Sequence, residues 1–444
     1  MSSNNRWLLP DGVDELLPPA ALNLEFIRRR LLDLYTSWGY EYVIPPMIEF
    51  LESLLTGSGG DLDLKTFKVT DQISGRTMGI RADITPQVAR MDAHSLNRTG
   101  ITRLCYAGTA LQTKPENMLA SRAPLKLGAE LFGSPGAEGD LEIVSLMIES
   151  LRSLGVKSVH LELGDVGIFR ALMAGKEISE RDEKSLFNLI QQKSVASLST
   201  KTEQLGLSKE LSEMIVTLPT LCGTSVVIDK ALNLFKGMPE IENRLAHLSK
   251  LHQAIVARFE NLNVYFDLSE LRGYAYHTGI VFAGYVEGET QCIAKGGRYD
   301  DVGEVFGRAR SATGFDLDAK VLLGFVGPDQ AKKKRVLAKA NIDVDKEKTR
   351  WQKIVQLREE GYIVLESLAD NQSYDLELID EDGGISQHHN IELKSQQVYF
   401  KTKYDLLLCE RQEDSSQFGG FGDMREAEAQ SISTPFGANI MYSD

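Results

Sequence analysis

The sequence predicts an α+β protein in which an antiparallel sheet is flanked by helices, with a helical insertion and a small C-terminal unit. Short β-rich runs separated by Gly, Asn and Pro occupy residues 66–135, which is typical of hairpins. A stretch rich in Leu, Lys and Glu from about 179 to 260 has a helical pattern. After residue 325 the composition changes, and only short helix and strand patterns follow.

The individual elements follow from apolar spacing. Helical spacing of Leu24, Ile27, Leu31 and Leu34 predicts a first helix, which Trp38-Gly39 ends. The same spacing predicts a second helix over 141–151. Alternating or β-rich runs predict strands at 66–70, 77–81, 103–108, 125–132, 158–163, 264–268, 279–286 and 291–294. The predicted sheet is therefore assembled from distant parts of the chain.

The predicted organisation has four parts. Residues 1–325 form the core, with the helical insertion at about 179–260, and residues 326–349 form a linker. Residues 350–410 form a small α/β unit, and 411–444, which lack an apolar period, form a mostly disordered tail. The run Lys332-Lys333-Lys334-Arg335 in the linker is interpreted as a solvated charge run rather than as a nucleic-acid patch.

Composition and charge exclude several classes of protein. The chain has 444 residues, 42% hydrophobic and 25% charged, so it can bury a full core. Its formal charge of −14 opposes non-specific binding to nucleic acid, although it does not exclude a local basic groove. No segment approaches the roughly 20 apolar residues that span a bilayer, and Met1 to Trp7 lack the basic-then-apolar pattern expected of a signal segment. The four cysteines are isolated and predict no zinc site, no other metal and no disulfide framework: Cys105, Cys222, Cys292 and Cys409. We therefore expect a cytoplasmic protein.

Six motifs occur in the order found in histidyl-tRNA synthetases. They are Leu9-Pro10-Asp11-Gly12, the stretch from Gly39 to Glu49, Arg81-Ala82-Asp83-Ile84-Thr85-Pro86-Gln87, Gly128-Ala129-Glu130, Leu271-Arg272-Gly273-Tyr274-Ala275-Tyr276-His277-Thr278-Gly279, and Gly296-Gly297-Arg298-Tyr299-Asp300. Over residues 8–325 the chain resembles the core of a class II aminoacyl-tRNA synthetase of the histidyl type. It resembles more closely the non-catalytic relatives of these enzymes, the regulatory subunits of ATP phosphoribosyltransferase. One such motif alone indicates no more than a turn, whereas six in order are far more specific.

The resemblance implies a pocket for free histidine. Histidine has an ammonium, a carboxylate and an imidazole, so its receptor needs acidic groups, a cation and polar ring contacts. Without the ordered motifs, Asp83 would be interpreted as capping a turn and Arg272 as pairing with a buried carboxylate. The resemblance instead assigns the amino group to Asp83 and Thr85, a ligand contact to Glu130, the carboxylate to Arg272, and the ring to Tyr276, Tyr299 and His277, which takes a tyrosine's place.

The residues that bind ATP in synthetases are replaced. Where the second class motif has Phe-Arg-x-Glu, this chain has Gln112 for the arginine and Lys114 for the glutamate. Where the third motif ends in arginine, the chain has Val321, and the glutamine before Phe-Gly-x-Glu has become Lys126. Removing one preorganised transition-state donor costs about 10² to 10³ in rate. We therefore expect no adenylation, no catalytic residues and no cofactor. The short patterns after 325 do not match an anticodon-binding domain, so we expect no tRNA partner.

The resemblance implies a regulatory subunit of ATP phosphoribosyltransferase, the first enzyme of histidine biosynthesis. It implies a short-form catalytic subunit as partner and L-histidine as a feedback effector. Leu8 to Pro19 and Pro45-Pro46 resemble elements of the class II dimer interface, which implies a homodimeric core within a hetero-oligomer. Alternatively, the prolines mark an ordinary edge strand. Two other hypotheses stay open: a synthetase-like paralogue that binds another amino acid or partner, and an active histidyl-tRNA synthetase, against which Gln112 and Val321 argue.

Overall fold

In a computed structural model of the protein, the structure describes residues 7–56, 60–115, 120–274, 276–289, 291–326, 333–338, 344–367, 374–378 and 385–387. The predicted tail over 411–444 and much of the predicted C-terminal unit lie outside these ranges. No helix within them is long and apolar enough to cross a membrane.

Strands and helices are numbered along the chain. The strands are β1 (Glu41–Tyr42), β2 (Ile48–Phe50), β3 (Phe67–Thr70), β4 (Thr77–Ile80), β5 (Thr102–Thr109), β6 (Leu125–Phe132), β7 (Val159–Asp165), β8 (Cys222–Gly223), β9 (Asn263–Asp267), β10 (Ile280–Val286), β11 (Ala294–Arg298), β12 (Ala312–Asp318), β13 (Arg335–Ala338), β14 (Ile363–Glu366), β15 (Leu376–Leu378) and β16 (Ile385–Gln387). The α-helices are α1 (Ala20–Ser37), α2 (Leu51–Leu55), α3 (Gly60–Lys65), α4 (Thr85–Arg90), α5 (Ala137–Ser153), α6 (Gly167–Met173), α7 (Glu180–Gln191), α8 (Val195–Gln204), α9 (Lys209–Thr217), α10 (Val226–Leu234), α11 (Pro239–Arg258), α12 (Ala319–Leu322) and α13 (Val344–Glu359).

The central sheet confirms the predicted fold class. Its strands lie in the order β1-β5-β6-β12-β11-β10-β7-β9-β8, so neighbours in the sheet are often distant in the chain. The pairs from β5 to β7 are antiparallel, whereas β1 with β5 and β7 with β9 are parallel. The sheet is therefore antiparallel through its middle, with a parallel pair toward each end.

One face of the sheet packs against α1 and α5. Side chains alternate along β6, so Leu127, Ala129 and Leu131 point to one face and join the core, while Glu130 points to the other. The core side of the two helices carries apolar side chains with no exposed surface: Ile27, Leu31, Ile143, Met147 and Ile148. The opposite face of the sheet is left for the site described below.

Five α-helices, α7 to α11, occupy residues 180–258, where the sequence predicts a helical insertion. The hydroxyl of Ser179 caps α7 by accepting a hydrogen bond from the backbone N–H of Asp182 at 3.2 Å. Leu186 and Ile190 lie four residues apart on the buried side of α7. The two-residue strand β8 connects this helical segment to the edge of the central sheet through β9.

A smaller sheet, ordered β2-β4-β3, precedes the first site residues. Directly after β4, the guanidinium of Arg81 donates to the carbonyls of Pro45, at 2.8 Å, and Thr109, at 2.9 Å. Arg81 is 5% exposed; Pro45 follows β1, and Thr109 is the last residue of β5. These bonds hold Asp83, in the turn before α4, and Thr85, the first residue of α4, over the central sheet.

The C-terminal residues differ from the predicted linker over 326–349. Residues 335–338 form β13, which pairs in parallel with β14 and β15, and α13 begins at Val344. Val336 and Ala338 are buried, whereas Lys333, Lys334 and Arg335 are exposed. The strand was missed because its apolar run is three residues long, follows a charge run, and is stabilised by pairing partners far along the chain.

Candidate functional site

A cavity of about 1040 Å³ lies on the face of the central sheet away from α1 and α5. It is bounded by strands of the sheet, the start of α4, the loop after β9 and one side of α7. All seven residues that the sequence assigns to a ligand site line this cavity: Asp83, Thr85, Glu130, Arg272, Tyr276, His277 and Tyr299. They come from four separate segments of the chain, which the fold brings together.

Glu130 forms the floor of the cavity and is 1% exposed. Its carboxylate accepts hydrogen bonds from the hydroxyls of Thr85, at 2.9 Å, Tyr106, at 3.3 Å, and Tyr299. Burial raises the pKa of Glu130 to about 8, because the hydroxyl donors only partly offset the loss of water and the nearby Asp83 and Asp316 carboxylates. A positive charge placed beside this buried carboxyl would favour its ionised form and lower its pKa.

Gly314 makes room for that carboxyl. It lies opposite Glu130 in the register of β6 and β12. A Cβ atom at residue 314 would overlap a carboxylate oxygen of Glu130. Glycine is therefore required here for close approach of the side chain to the neighbouring backbone.

Asp83 lies beside this floor at the turn into α4. One of its oxygens accepts the backbone N–H of Ile84 at 2.6 Å and lies 3.4 Å from that of Thr85, so Asp83 does cap a turn while it lines the cavity. Burial, followed by the charge of Asp316, raises the pKa of Asp83, and Lys126 opposes this shift. Asp83, Asp316 and Glu130 thus form a carboxylate cluster with one buried cation beside it.

The loop between β9 and β10 forms the next wall. Gly273 has a φ of +67°, and a Cβ atom there would meet the ring of His277, so both conformation and space favour glycine. Burial lowers the pKa of His277 to about 4, which leaves the ring neutral at pH 7. The Tyr276 ring lies 5.0 Å from that of Tyr299, centroid to centroid. Within the described residues, the buried Tyr276 hydroxyl has no hydrogen-bond partner.

The guanidinium of Arg272 already contacts three other side chains of the protein. It lies 3.1 Å from a carboxylate oxygen of Glu270, 3.2 Å from the Tyr285 hydroxyl and 3.2 Å from the Cys292 sulfur. The pairing with a carboxylate that the sequence left open as an alternative is therefore present, and Arg272 also lines the cavity. A ligand carboxylate would have to share this guanidinium with Glu270.

Gln112, Lys114 and Val321, three of the positions at which the sequence departs from the synthetase motifs, do not line the cavity. The side-chain amide of Gln112 donates to the carbonyl of Ala82 at 3.2 Å and is 5% exposed. Lys114 is exposed to solvent. Val321, in α12, packs against the main hydrophobic core.

Sequence reasoning missed several residues that build the site. Tyr106 and Asp316 could have been found from strand alternation, because they share a face with Lys126 and Glu130 across β5, β6 and β12. No local pattern indicates the others, which meet the loop from distant segments: Glu162, Arg170, Glu183 and Phe187.

The described residues contain no group of three His, Cys, Asp or Glu side chains arranged to hold a metal ion. Cys105, Cys222 and Cys292 are free thiols. Cys409 lies outside the described ranges.

Comparison with known proteins agrees with this fold. The family model for histidyl-tRNA synthetase matches residues 12–322. The crystal structure of an ATP phosphoribosyltransferase regulatory subunit/histidyl-tRNA synthetase from Bacillus halodurans aligns with a TM-score of 0.72 and 25% identity, covering 82% of this chain and 93% of that one. A histidyl-tRNA synthetase from a Nostoc species has a TM-score of 0.68 at 18% identity, covering 83% of this chain and 87% of its own, and shows the fold alone. The fold and cavity define a class II aminoacyl-tRNA synthetase-like protein of the histidyl type.

Two curated relatives are more similar in sequence. A protein of Teredinibacter turnerae named ATP phosphoribosyltransferase regulatory subunit is 47% identical over 392 residues, covering 86% of this chain and 98% of its own. One of the same name from Pseudomonas syringae is 47% identical, covering 87% of this chain and 97% of its own. The chain belongs to the histidyl-tRNA synthetase-like family of ATP phosphoribosyltransferase regulatory subunits.

Proposed function

We propose that this chain is the non-catalytic regulatory subunit of an ATP phosphoribosyltransferase and that it binds free L-histidine in the cavity to confer feedback control. One observation carries the proposal: the seven residues assigned to a histidine pocket line a single cavity, while Gln112, Lys114 and Val321 stand where the enzymes have ATP-binding residues. The proposed pocket for the amino acid is retained, whereas the residues that would activate the amino acid with ATP are replaced.

The charges around the cavity suit an amino acid. Asp83 and Glu130 offer acidic oxygens to an ammonium, and Arg272 offers a cation to a carboxylate. Tyr276, with its unpaired buried hydroxyl, and the neutral ring of His277 suit the imidazole. Hydrogen bonds to charged groups contribute about 1.5 to 3 kcal/mol each, so three such contacts suffice for selective binding.

Histidine would act through linkage with a partner. A ligand shifts a quaternary equilibrium only by its difference in affinity for the two states, and tenfold selectivity corresponds to about 1.4 kcal/mol. The partner we propose is a short-form catalytic subunit. The name of the relatives, regulatory subunit, implies that a catalytic subunit exists. In this proposal the chain neither binds tRNA nor activates an amino acid with ATP.

A homodimeric core within the complex is part of the proposal. Large apolar side chains are exposed along the N-terminal segment and after β1: Trp7 is 84% exposed, Leu8 71% and Ile44 73%. Exposed apolar surface of this kind is typical of subunit contacts. The prolines at 45 and 46 follow the edge strand β1 rather than lying within it. The free thiols support the reducing cytoplasm as the compartment.

The deciding experiment is an assay of a short-form catalytic subunit from the same source, with and without this chain, during a histidine titration. The proposal expects the chain to change the rate and to make it histidine-sensitive. Unchanged activity together with failure to co-elute would favour the paralogue hypothesis, and histidine-dependent ATP–pyrophosphate exchange by the chain alone would favour an active synthetase.

A further inference from the structure

The outer wall of the cavity is formed by α7, the first helix of the segment 180–258. Five residues of α7 line the cavity, spaced three, one, three and four residues apart along one face of the helix: Glu180, Glu183, Lys184, Phe187 and Gln191. An adjacent face of the helix carries Leu186 and Ile190, which are buried. The cavity therefore lies between the central sheet and a helix that belongs to a different part of the chain.

Tyr274 joins α7 to the cavity wall. Its hydroxyl donates a hydrogen bond of 2.8 Å to the carboxylate of Glu183. Its ring packs against the ring of Phe187, with 5.3 Å between centroids, and against that of Phe169 at 5.5 Å. The guanidinium of Arg170 lies over the same ring, 4.5 Å from its centroid.

Tyr274 also belongs to the turn that carries three of the proposed ligand-binding residues, Arg272, Tyr276 and His277. Its backbone N–H donates to the carbonyl of Leu271, and that of His277 donates to the carbonyl of Gly273. The guanidinium of Arg170 donates to the backbone carbonyls of both Tyr274 and His277. A ligand that immobilises Arg272 and His277 must therefore immobilise Tyr274 as well.

We propose that Tyr274 is a positioning residue that couples occupancy of the cavity to α7, so that the helical segment closes on the bound amino acid and reports its presence to the rest of the complex. This inference rests on the proposed histidine site. A ligand in the cavity restricts the motion of the turn that contains Tyr274. The hydrogen bond from Tyr274 to Glu183 then restricts the motion of α7. Linkage requires the reverse effect as well, so α7 stabilises bound histidine by the same factor.

The test compares amide hydrogen exchange of α7 with and without saturating histidine in the full-length wild type, in Tyr274→Phe and in Tyr40→Phe. Tyr274→Phe removes the bond to Glu183 and keeps the ring. Tyr40→Phe is a matched control, because the Tyr40 hydroxyl donates to the Glu142 carboxylate at 3.0 Å far from α7. Histidine binding by each protein is measured in parallel by calorimetry.

We expect histidine to slow exchange in α7 by about fivefold in the wild type and in Tyr40→Phe, the size expected for one hydrogen bond. In Tyr274→Phe this slowing is lost and histidine affinity falls by about the same factor. If Tyr274→Phe does not fold, Glu183→Ala removes the same bond from the helix side.

Three results would overturn the inference. The coupling is wrong, and the histidine site stands, if histidine slows amide exchange in α7 as much in Tyr274→Phe as in the wild type. The same conclusion follows if the wild type binds histidine with no change in the exchange of α7. If calorimetry shows no histidine binding by the wild type, the proposed function fails and the coupling fails with it.

Discussion

The ammonium of Lys126 lies 2.6 Å from a carboxylate oxygen of Asp316 on the neighbouring strand β12. The two side chains are only 11% and 15% exposed, and Asp316 lines the cavity close to Asp83 and Glu130. Lys126 stands where the synthetases have a glutamine. The cation therefore offsets part of the negative charge of the carboxylate cluster at Asp316.

Replacing this cation should destabilise the protein. Lys126→Met leaves the nearly buried Asp316 carboxylate without the Lys126 ammonium, and removing one member of a buried pair costs up to about 3 to 5 kcal/mol. The thermal unfolding midpoint should fall by several degrees. Lys68→Met is the matched control, because Lys68 pairs with Asp63 at 2.8 Å with the two side chains 45% and 39% exposed, and such pairs contribute less than about 1 kcal/mol. Equal effects of the two substitutions would contradict the assigned role of Lys126.

Removing the Arg272 side chain should weaken histidine binding without unfolding the protein. Arg272→Ala loses the cation proposed for the ligand carboxylate, and the loss of about 1.5 to 3 kcal/mol lowers affinity by roughly tenfold or more. The thermal midpoint should change little, since this side chain is 40% exposed. Arg28→Ala, which removes an arginine paired with Glu25 on α1, should leave affinity unchanged. Normal binding by Arg272→Ala, measured by calorimetry, would show that the pocket assignment is wrong.

Histidine binding should depend on pH through Glu130. Because burial raises the pKa of this carboxyl to about 8, it is mostly protonated at pH 7 in the unliganded protein. A bound ammonium favours the ionised form, so binding releases this proton, and affinity should rise from about pH 6.5 and level off above the raised pKa, by at most about tenfold per pH unit.

Calorimetry in buffers of different ionisation enthalpy measures the released proton directly. Glu130→Gln cannot ionise at this position, so in that variant both the proton release assigned to Glu130 and its part of the pH dependence should disappear. Identical pH profiles for the variant and the wild type would assign the titration to another group.

A methyl group at Gly314 should disrupt the cavity floor. In Gly314→Ala, the new Cβ overlaps the Glu130 carboxylate, which three hydroxyls hold in place, so histidine affinity should fall by more than about tenfold and the thermal midpoint should drop. Gly284→Ala is the comparison, because a Cβ there lies 3.2 Å from the terminal Leu151 methyl carbon, which can move. Unchanged histidine binding in Gly314→Ala would show that the floor adapts without loss.

Much of the fold could be predicted because its signals are local. The spacing of Leu24, Ile27 and Leu31 predicts a helix and lies within α1, and the alternation over 125–132 corresponds to β6. The parallel pair of β1 with β5 was not predicted, because it depends on partners separated along the chain. The strand β13 was missed for the same reason.

The sequence by itself determined the class of protein and the seven candidate residues, because ordered motifs record which residue types stand at which positions. Only the tertiary structure decided that Lys126 compensates Asp316, that Arg272 is shared with Glu270, and that Tyr274 meets Glu183 on α7. The Lys126 and Tyr274 contacts join residues about 190 and 91 positions apart. Such contacts depend on strand register and on where a helix packs, and these are set by burial of the whole core rather than by any local pattern.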